Sequence, residues 1–310
     1  MDEIIGAVIE SLGTEDIEGD EALPFNDMKP VPISKDNFND IGEAVKGDIA
    51  FIDGGNAEIL GAASFSLQLI KTAVIGRKKV VDEFYLLVTF KDNEFQIQTF
   101  PKGKLPNIKF DSLDPRIRVG NERALANRIA GICRRLAELK AANECNSKHI
   151  VLDGDLYART QQEEDLLGLL KGKKVYGLTK TSSLLTKHGR VFAAALSSLQ
   201  EGAWLYSPVF KGGDVKVSFV KLHPASKHVF MLSSYLDARD VLGMLKGNST
   251  DPVFPGYPYG LVQADKAARV SKKEVEYQRT KLMAKFGSDW KDVKTYLRTK
   301  DAHDILDSVG

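Results

Sequence analysis

The spacing of apolar positions divides the chain into segments of helical and of strand rhythm. Ile4, Ile5, Val8, Ile9 and Leu12 recur at helical spacing and predict a short helix, after which an acidic stretch punctuated by Gly and Pro runs to Pro32. From Ile49 the pattern becomes that of strands: Ile49 to Asp53, a β-rich stretch from Ala57 to Ile75, then Phe84 to Phe90 and Phe95 to Phe100. Asn56, after Gly54-Gly55, is a tight-turn signal and predicts a hairpin between the first two strands. Residues 121–140 return to helical spacing, with Leu125, Ile129, Ile132, Leu136 and Leu139 forming a stripe that faces a sheet. A strand at His149 to Leu152, a helix near Glu163 to Leu170 and a strand at Val175 to Leu178 follow. Further strands are expected between Trp204 and Tyr235, and a helix from Asp237 to Leu245. The Pro- and Gly-rich turn Pro255-Gly256-Tyr257-Pro258-Tyr259-Gly260 then leads into a long, net basic helix.

Antiparallel strands, a helix, a strand that must rejoin the sheet, and then alternating helices and strands is the order of an RNase H-like α/β fold. In that fold a mixed sheet is flanked by helices and the first strand lies beside the fourth. Two aspartates close apolar runs and are followed by glycine: Asp53 in Ile49-Ala50-Phe51-Ile52-Asp53-Gly54 and Asp153 in Ile150-Val151-Leu152-Asp153-Gly154. Four consecutive apolar residues read as a strand buried on both faces, which puts each carboxylate at the rim of the sheet, where ligands gather. Neighbouring strands would bring the two within reach of one ion. Because an ionised carboxylate beside a dry core is costly without a cation, a divalent metal is the expected partner.

Four further groups extend this constellation: Glu122, Asp265, Lys180 and His223. On a helix over 121–140, Glu122 falls within about 45° of the centre of the apolar stripe and points toward the sheet, unless it merely favours the positive end of the helix. Asp265, among Ala264, Ala267 and Ala268, arrives on the last long helix, although an exposed Asp near a helix start is an even alternative. Asp155 competes with Asp153, but it lies beyond the glycine and reads as a loop cap. Lys180, after a strand, is placed to contact a phosphate, and His223 is a candidate for proton transfer or phosphate positioning; a solvated lysine and exposed imidazoles are the plain alternatives. Oxygen-only ligands select Mg²⁺ or Mn²⁺, and two such ions about 3.5–4 Å apart can drive in-line hydrolysis of a phosphodiester.

Charge refines the expected partner. The 310-residue chain has a net charge of +1, yet residues 1–40 hold eleven acidic residues against two lysines, leaving the remainder strongly basic. Basic clusters such as Arg77-Lys78-Lys79 and Lys272-Lys273 make nucleic acid plausible. Residues 1–40 are expected to form an acidic arm, and 41–310 the globular domain with C-terminal helices. No apolar run approaches the roughly 20 residues of a membrane span, and the start lacks the features of a secretory leader, so a cytoplasmic protein without membrane contact is expected. Cys133 and Cys145 suggest neither zinc nor a disulfide framework.

The ordered set of Asp53-Gly54-Gly55, Glu122, Leu152-Asp153-Gly154-Asp155-Leu156, Gly177-Leu178-Thr179-Lys180-Thr181-Ser182 and Gly256-Tyr257-Pro258-Tyr259-Gly260-Leu261 leading to Ala264-Asp265 resembles the NurA nuclease family. The resemblance spans residues 45 to 275 and implies an RNase H-like core related to the PIWI domain. It also implies a Mn²⁺-dependent DNA nuclease with 5′ to 3′ exonuclease and single-strand endonuclease activity. Such a nuclease acts as a homodimer with the hexameric translocase HerA in DNA end resection for recombinational repair. Carried over by position, Asp53, Glu122, Asp153 and Asp265 are the implied metal ligands, and Tyr206 is the candidate counterpart of a tyrosine found in some family sites. Gly55 stands where many members have Ser, and Asp265 where some have His. Two readings of other classes remain: an actin-like or sugar-kinase-like ATPase, which also holds phosphates on Asp-Gly turns, and a catalytically inactive DNA-binding adaptor.

Overall fold

The computed structural model describes residues 1–11, 17–25, 27–62, 64–118, 120–180, 183–291, 293–294 and 297. Leu12 of the first expected helix, and Thr181 and Ser182 of the segment around Lys180, lie outside them. In chain order the elements begin with α1 (Asp2–Ser11), β1 (Lys29–Pro30), a short 3-10 turn, β2 (Phe38–Asn39), β3 (Ile49–Ala62), β4 (Phe65–Ile75), β5 (Lys79–Lys91), β6 (Glu94–Phe100) and β7 (Lys109–Asp111). There follow α2 (Ala126–Glu144), β8 (His149–Asp153), α3 (Gln161–Leu170), β9 (Lys174–Thr179), α4 (Phe192–Leu199), β10 (Trp204–Tyr206), β11 (Phe210–Lys211), β12 (Lys216–Lys221) and β13 (Phe230–Ser234). After them come α5 (Arg239–Asn248), α6 (Tyr259–Ala268), α7 (Lys272–Phe286) and a second short 3-10 turn, Gly287–Asp289.

Two compact units share these elements. One comprises Met1–Phe51, Cys145–Tyr157 and Leu169–Gln263, and the other Ile52–Glu144, Ala158–Gly168 and Ala264–Gly310. In the first unit the strand order is β2-β10-β12-β13-β9-β8, with the opening residues of β3 next to β8. β8 and β9 run parallel, and the pairs β2-β10, β10-β12, β12-β13 and β13-β9 run antiparallel. Ile150, Val151 and Leu152 are all buried, as expected for a strand covered on both faces. The neighbouring placement of the first strand and the strand ending at Asp153 is the RNase H-like arrangement.

Residues 17–41 do not form the separate arm that their charge suggests. Ala22, Met28 and Ile33 are buried against Phe192 and Leu196 of α4 and Trp204 of β10. β1 pairs with β11, and β2 adds an edge strand to β10. A boundary at residue 40 therefore falls inside the first unit. The acidic side chains are accommodated individually: buried Asp20 lies 3.0 Å from His188 Nδ1, and Glu21 pairs with Lys187. Burial opposes the Asp20 charge, but hydrogen bonds from Thr186, His188 and the Glu21 N–H outweigh it and hold its carboxyl below the usual range.

The second unit holds the later part of β3 and the antiparallel run β4-β5-β6-β7. Phe84, Leu86 and Val88 of β5 are buried at every second position and pack with Phe95 and Ile97 of β6 against Ile129, Cys133 and Leu136 of α2. Each such side chain contributes about 1.5–3 kcal/mol on leaving water. Asp92 and Asn93 both have positive φ, 53° and 65°, and close the β5-β6 hairpin in the conformation that matches strand twist.

Two boundaries differ from the sequence reading, and both bear on the site. β3 continues from Ile49 to Ala62 through Asp53-Gly54-Gly55-Asn56, so there is no turn at Asn56. The helix read over 121–140 starts at Ala126, because the preceding segment is pinned in extended form by the Ala124 N–H donating to the Ser112 carbonyl at 2.9 Å. Leu125 therefore stands 59 % exposed at the helix start and is not part of the buried stripe.

Candidate functional site

In the first unit the site grows from the ends of β8 and β9. Gly154 adopts φ +114° and donates its N–H to the Leu178 carbonyl at 3.0 Å, turning the chain away immediately after Asp153. Asp155 accepts from the Tyr157 N–H at 3.1 Å and so caps the loop, as its position beyond the glycine suggests. Asp153 is in register with Leu178 on parallel β9, and Lys180, two residues further on, comes to the same face. Its Nζ lies 2.6 Å from an Asp153 carboxylate oxygen, with the aspartate side chain 17 % and the lysine 44 % exposed. The ammonium also sits 5.2 Å from the centroid of the Tyr257 ring, a cation–π distance.

Tyr257 is delivered by the Pro- and Gly-rich turn. Gly256, at φ +90°, donates to the Ser249 carbonyl at 2.8 Å, and a Cβ there would come 2.5 Å from the Ser226 side chain and 3.5 Å from that of His223. The turn thus needs glycine for both its conformation and its closeness. His223 flanks it, its Nδ1 accepting the Ala225 N–H at 3.2 Å, which leaves Nε2 to carry the proton of the neutral ring. Asp153, Lys180 and Tyr257 are therefore linked through the lysine, and His223 lies beside the glycine that precedes Tyr257. Tyr206 does not fit the role of a site tyrosine: it is fully buried in the β10 core, where its hydroxyl accepts from the Ser34 N–H and the Asn37 amide.

In the second unit Asp53 is buried near the middle of β3, with one carboxylate oxygen accepting the Gly54 N–H at 2.7 Å. The glycines after it have neither positive φ nor a turn to make; they admit neighbours. A Cβ on Gly54 would lie 2.5 Å from Glu138 Oε1, and one on Gly55 would lie 2.2 Å from the Ala268 carbonyl oxygen. Gly55 thus lets the end of α6 approach the strand backbone, and no rotamer change can relieve a clash with a carbonyl. Gly55→Ala is expected to destabilise the protein by about 1–3 kcal/mol, the cost of overpacking, seen as a lower thermal midpoint by calorimetry.

The carboxylate on α2 that faces β3 is Glu138, not Glu122. Glu122 precedes the helix and is exposed. Glu138 is 1 % exposed and lies between Arg134, at 2.5 Å, and Arg135, at 3.2 Å. Arg134 also donates to the Gly54 carbonyl at 2.9 Å. The residue escaped the sequence reading because it lies about 180° from Ile129 on the helix, and charges at i, i+3 and i+4 read as a solvated face. Here α2 is buried on that side as well: Ala142 is fully buried and Arg135 is 8 % exposed.

Asp265 lies on α6, not on a long terminal helix, since the chain breaks after Ala268 and restarts at Ser271, whose hydroxyl caps α7 by accepting the Glu274 N–H. Asp265 is 39 % exposed and pairs with Arg269 one turn on at 2.6 Å. Among the described residues no three His, Cys, Asp or Glu side chains gather as a ready-made metal cage. Each carboxylate by itself is of the kind that suits a hard cation: in the first unit Asp153, at the end of β8, pairs with one cationic side chain, and in the second unit Asp265 on α6 pairs with one and Glu138 on α2 with two. No helix among the described residues is long and apolar enough to cross a membrane.

No family model and no curated protein matches this sequence. Solved structures do match its fold. The NurA nuclease from Sulfolobus solfataricus superposes over 93 % of this chain and 95 % of its own, with a TM-score of 0.58 at 13 % identity. The fold is that of the NurA nucleases. A NurA structure with manganese covers 93 % of this chain and 97 % of its own at a TM-score of 0.55 and 9 % identity. Another NurA, bound to dAMP and manganese, covers 89 % and 94 %, at a TM-score of 0.54 and 9 % identity.

Proposed function

We propose that the protein is a metal-dependent DNA nuclease. The observation that carries this reading is Asp153 at the rim of β8, held beside Lys180, in a chain that follows the NurA fold over 93 % of its length. Asp53, Asp153 and Asp265 are the proposed metal ligands, with Glu138 taking the helix position that the sequence reading gave to Glu122. Mn²⁺ or Mg²⁺, two ions per site, would supply an activated water and charge neutralisation at the leaving oxygen. Lys180 supplies a cation to a substrate phosphate, and His223, through Nε2, a proton donor or phosphate contact near the Gly256 turn. The manganese in two of the matched NurA structures, one of them with dAMP, supports the choice of metal and of a nucleotide-bearing substrate.

The finer reading follows the same resemblance: 5′ to 3′ exonuclease and single-strand endonuclease activity, homodimerisation, and end resection with a HerA-type hexameric translocase in the cytoplasm. The phosphate-loop rival loses one of its two Asp-Gly turns, because β3 runs through Asp53-Gly54 as strand. The deciding experiment incubates the purified protein with end-labelled linear DNA and Mn²⁺ or EDTA. Degradation with Mn²⁺ and none with EDTA is expected, whereas intact DNA under both conditions, with or without the translocase, sinks the proposal.

A further inference from the structure

Lys180 has two neighbours with different demands on it. The Asp153 carboxylate neutralises its charge at 2.6 Å, and the Tyr257 ring face lies 5.2 Å from the same ammonium. Tyr257 is itself fixed: its ring packs 5.4 Å from that of buried Phe230, and its N–H donates to the Phe254 carbonyl at 3.2 Å. A lysine stem alone is a flexible four-carbon chain and would sample many positions. Seated on an aromatic face, it is directed at one carboxylate.

A carboxylate oxygen that accepts an ammonium at 2.6 Å offers the same lone pairs that a divalent cation needs. From this we infer that Lys180 competes with the metal for Asp153, that Tyr257 is the positioning residue which keeps it there, and that metal binding turns Lys180 toward the substrate phosphate. The inference rests on the nuclease reading and deepens it. Its consequence is an order of events: the ammonium holds Asp153 until the ion arrives, and the cation needed by the phosphate becomes available only then. Because the lysine is partly exposed, its hold on Asp153 is modest, and the competition is worth a few-fold in metal affinity.

The test measures Mn²⁺ affinity from the free-ion electron paramagnetic resonance signal, with the full-length protein and no DNA. Lys180→Met is expected to bind Mn²⁺ about two- to fivefold more tightly than wild type. Tyr257→Leu, which keeps the lysine but removes its platform, should move affinity the same way, and Tyr257→Phe, which retains the ring, should match wild type. Lys171→Met removes a lysine engaged elsewhere, with Asp214, and should leave affinity unchanged, which separates local competition from a general change of charge. Equal Mn²⁺ affinity in wild type, Lys180→Met and Tyr257→Leu, with binding lost in Asp153→Asn, overturns the inference while the nuclease reading stands. No Mn²⁺ binding by any of the proteins overturns both.

Discussion

Asp153→Asn is expected to abolish Mn²⁺-dependent cleavage of linear DNA while leaving the thermal midpoint nearly unchanged. Both halves follow from where the carboxylate sits. Amide for carboxylate preserves shape and hydrogen-bonding reach but removes the charge that would hold a divalent ion. Changes to outer-shell partners of metal ligands already cost about 10- to 100-fold, so loss of a ligand should exceed that range. The structural cost is small, because the group removed is one half of an ion pair whose lysine is 44 % exposed. Partly exposed pairs of this kind contribute about 0–1 kcal/mol. Gel assays of product release, read beside a calorimetric melt, check both halves. Cleavage within a few-fold of wild type would remove Asp153 from the proposed metal set.

The strand end at Asp153 was legible because burial on both faces leaves a continuous apolar run, which β8 shows in Ile150, Val151 and Leu152; the same pattern before Asp53 did not mark an end, since β3 runs on to Ala62. The order of elements was legible too, and with it the placement of the first strand beside β8. What misled was local chemistry that tertiary contacts override. Gly54-Gly55-Asn56 has the composition of a turn, but its glycines serve the approach of Glu138 and of the Ala268 carbonyl. The acidic segment from 17 to 41 has the charge of a solvated arm, yet its few apolar residues, Ala22, Met28 and Ile33, settle its fate by entering a core. Arg269 and Val270 could have continued a helix; the capping hydroxyl of Ser271 starts a new one. Tyr257 gave no signal of its contact with Lys180, since the two meet only through the fold.

Glu138→Gln and Glu122→Gln should separate the two candidates for the helix carboxylate. Glu138 is enclosed by Arg134 and Arg135 and stands against Gly54, the residue after Asp53. Removing its charge affects both stability and chemistry. The stability effect arises because Arg135, itself 8 % exposed, loses its anionic partner, and breaking a buried pair from one side costs about 3–5 kcal/mol. Glutamine keeps one acceptor oxygen for a guanidinium, so the loss should fall toward the lower end of that range and leave a folded protein at 20 °C. The chemical effect is loss of Mn²⁺-dependent cleavage at that temperature, with the fold verified by circular dichroism. Glu122→Gln alters an exposed residue ahead of α2 and should change neither melting nor cleavage beyond experimental scatter. The opposite pattern, cleavage lost in Glu122→Gln and kept in folded Glu138→Gln, would return the ligand to the segment before the helix. It would also require that segment to leave the extended conformation in which the Ala124 N–H bonds to Ser112.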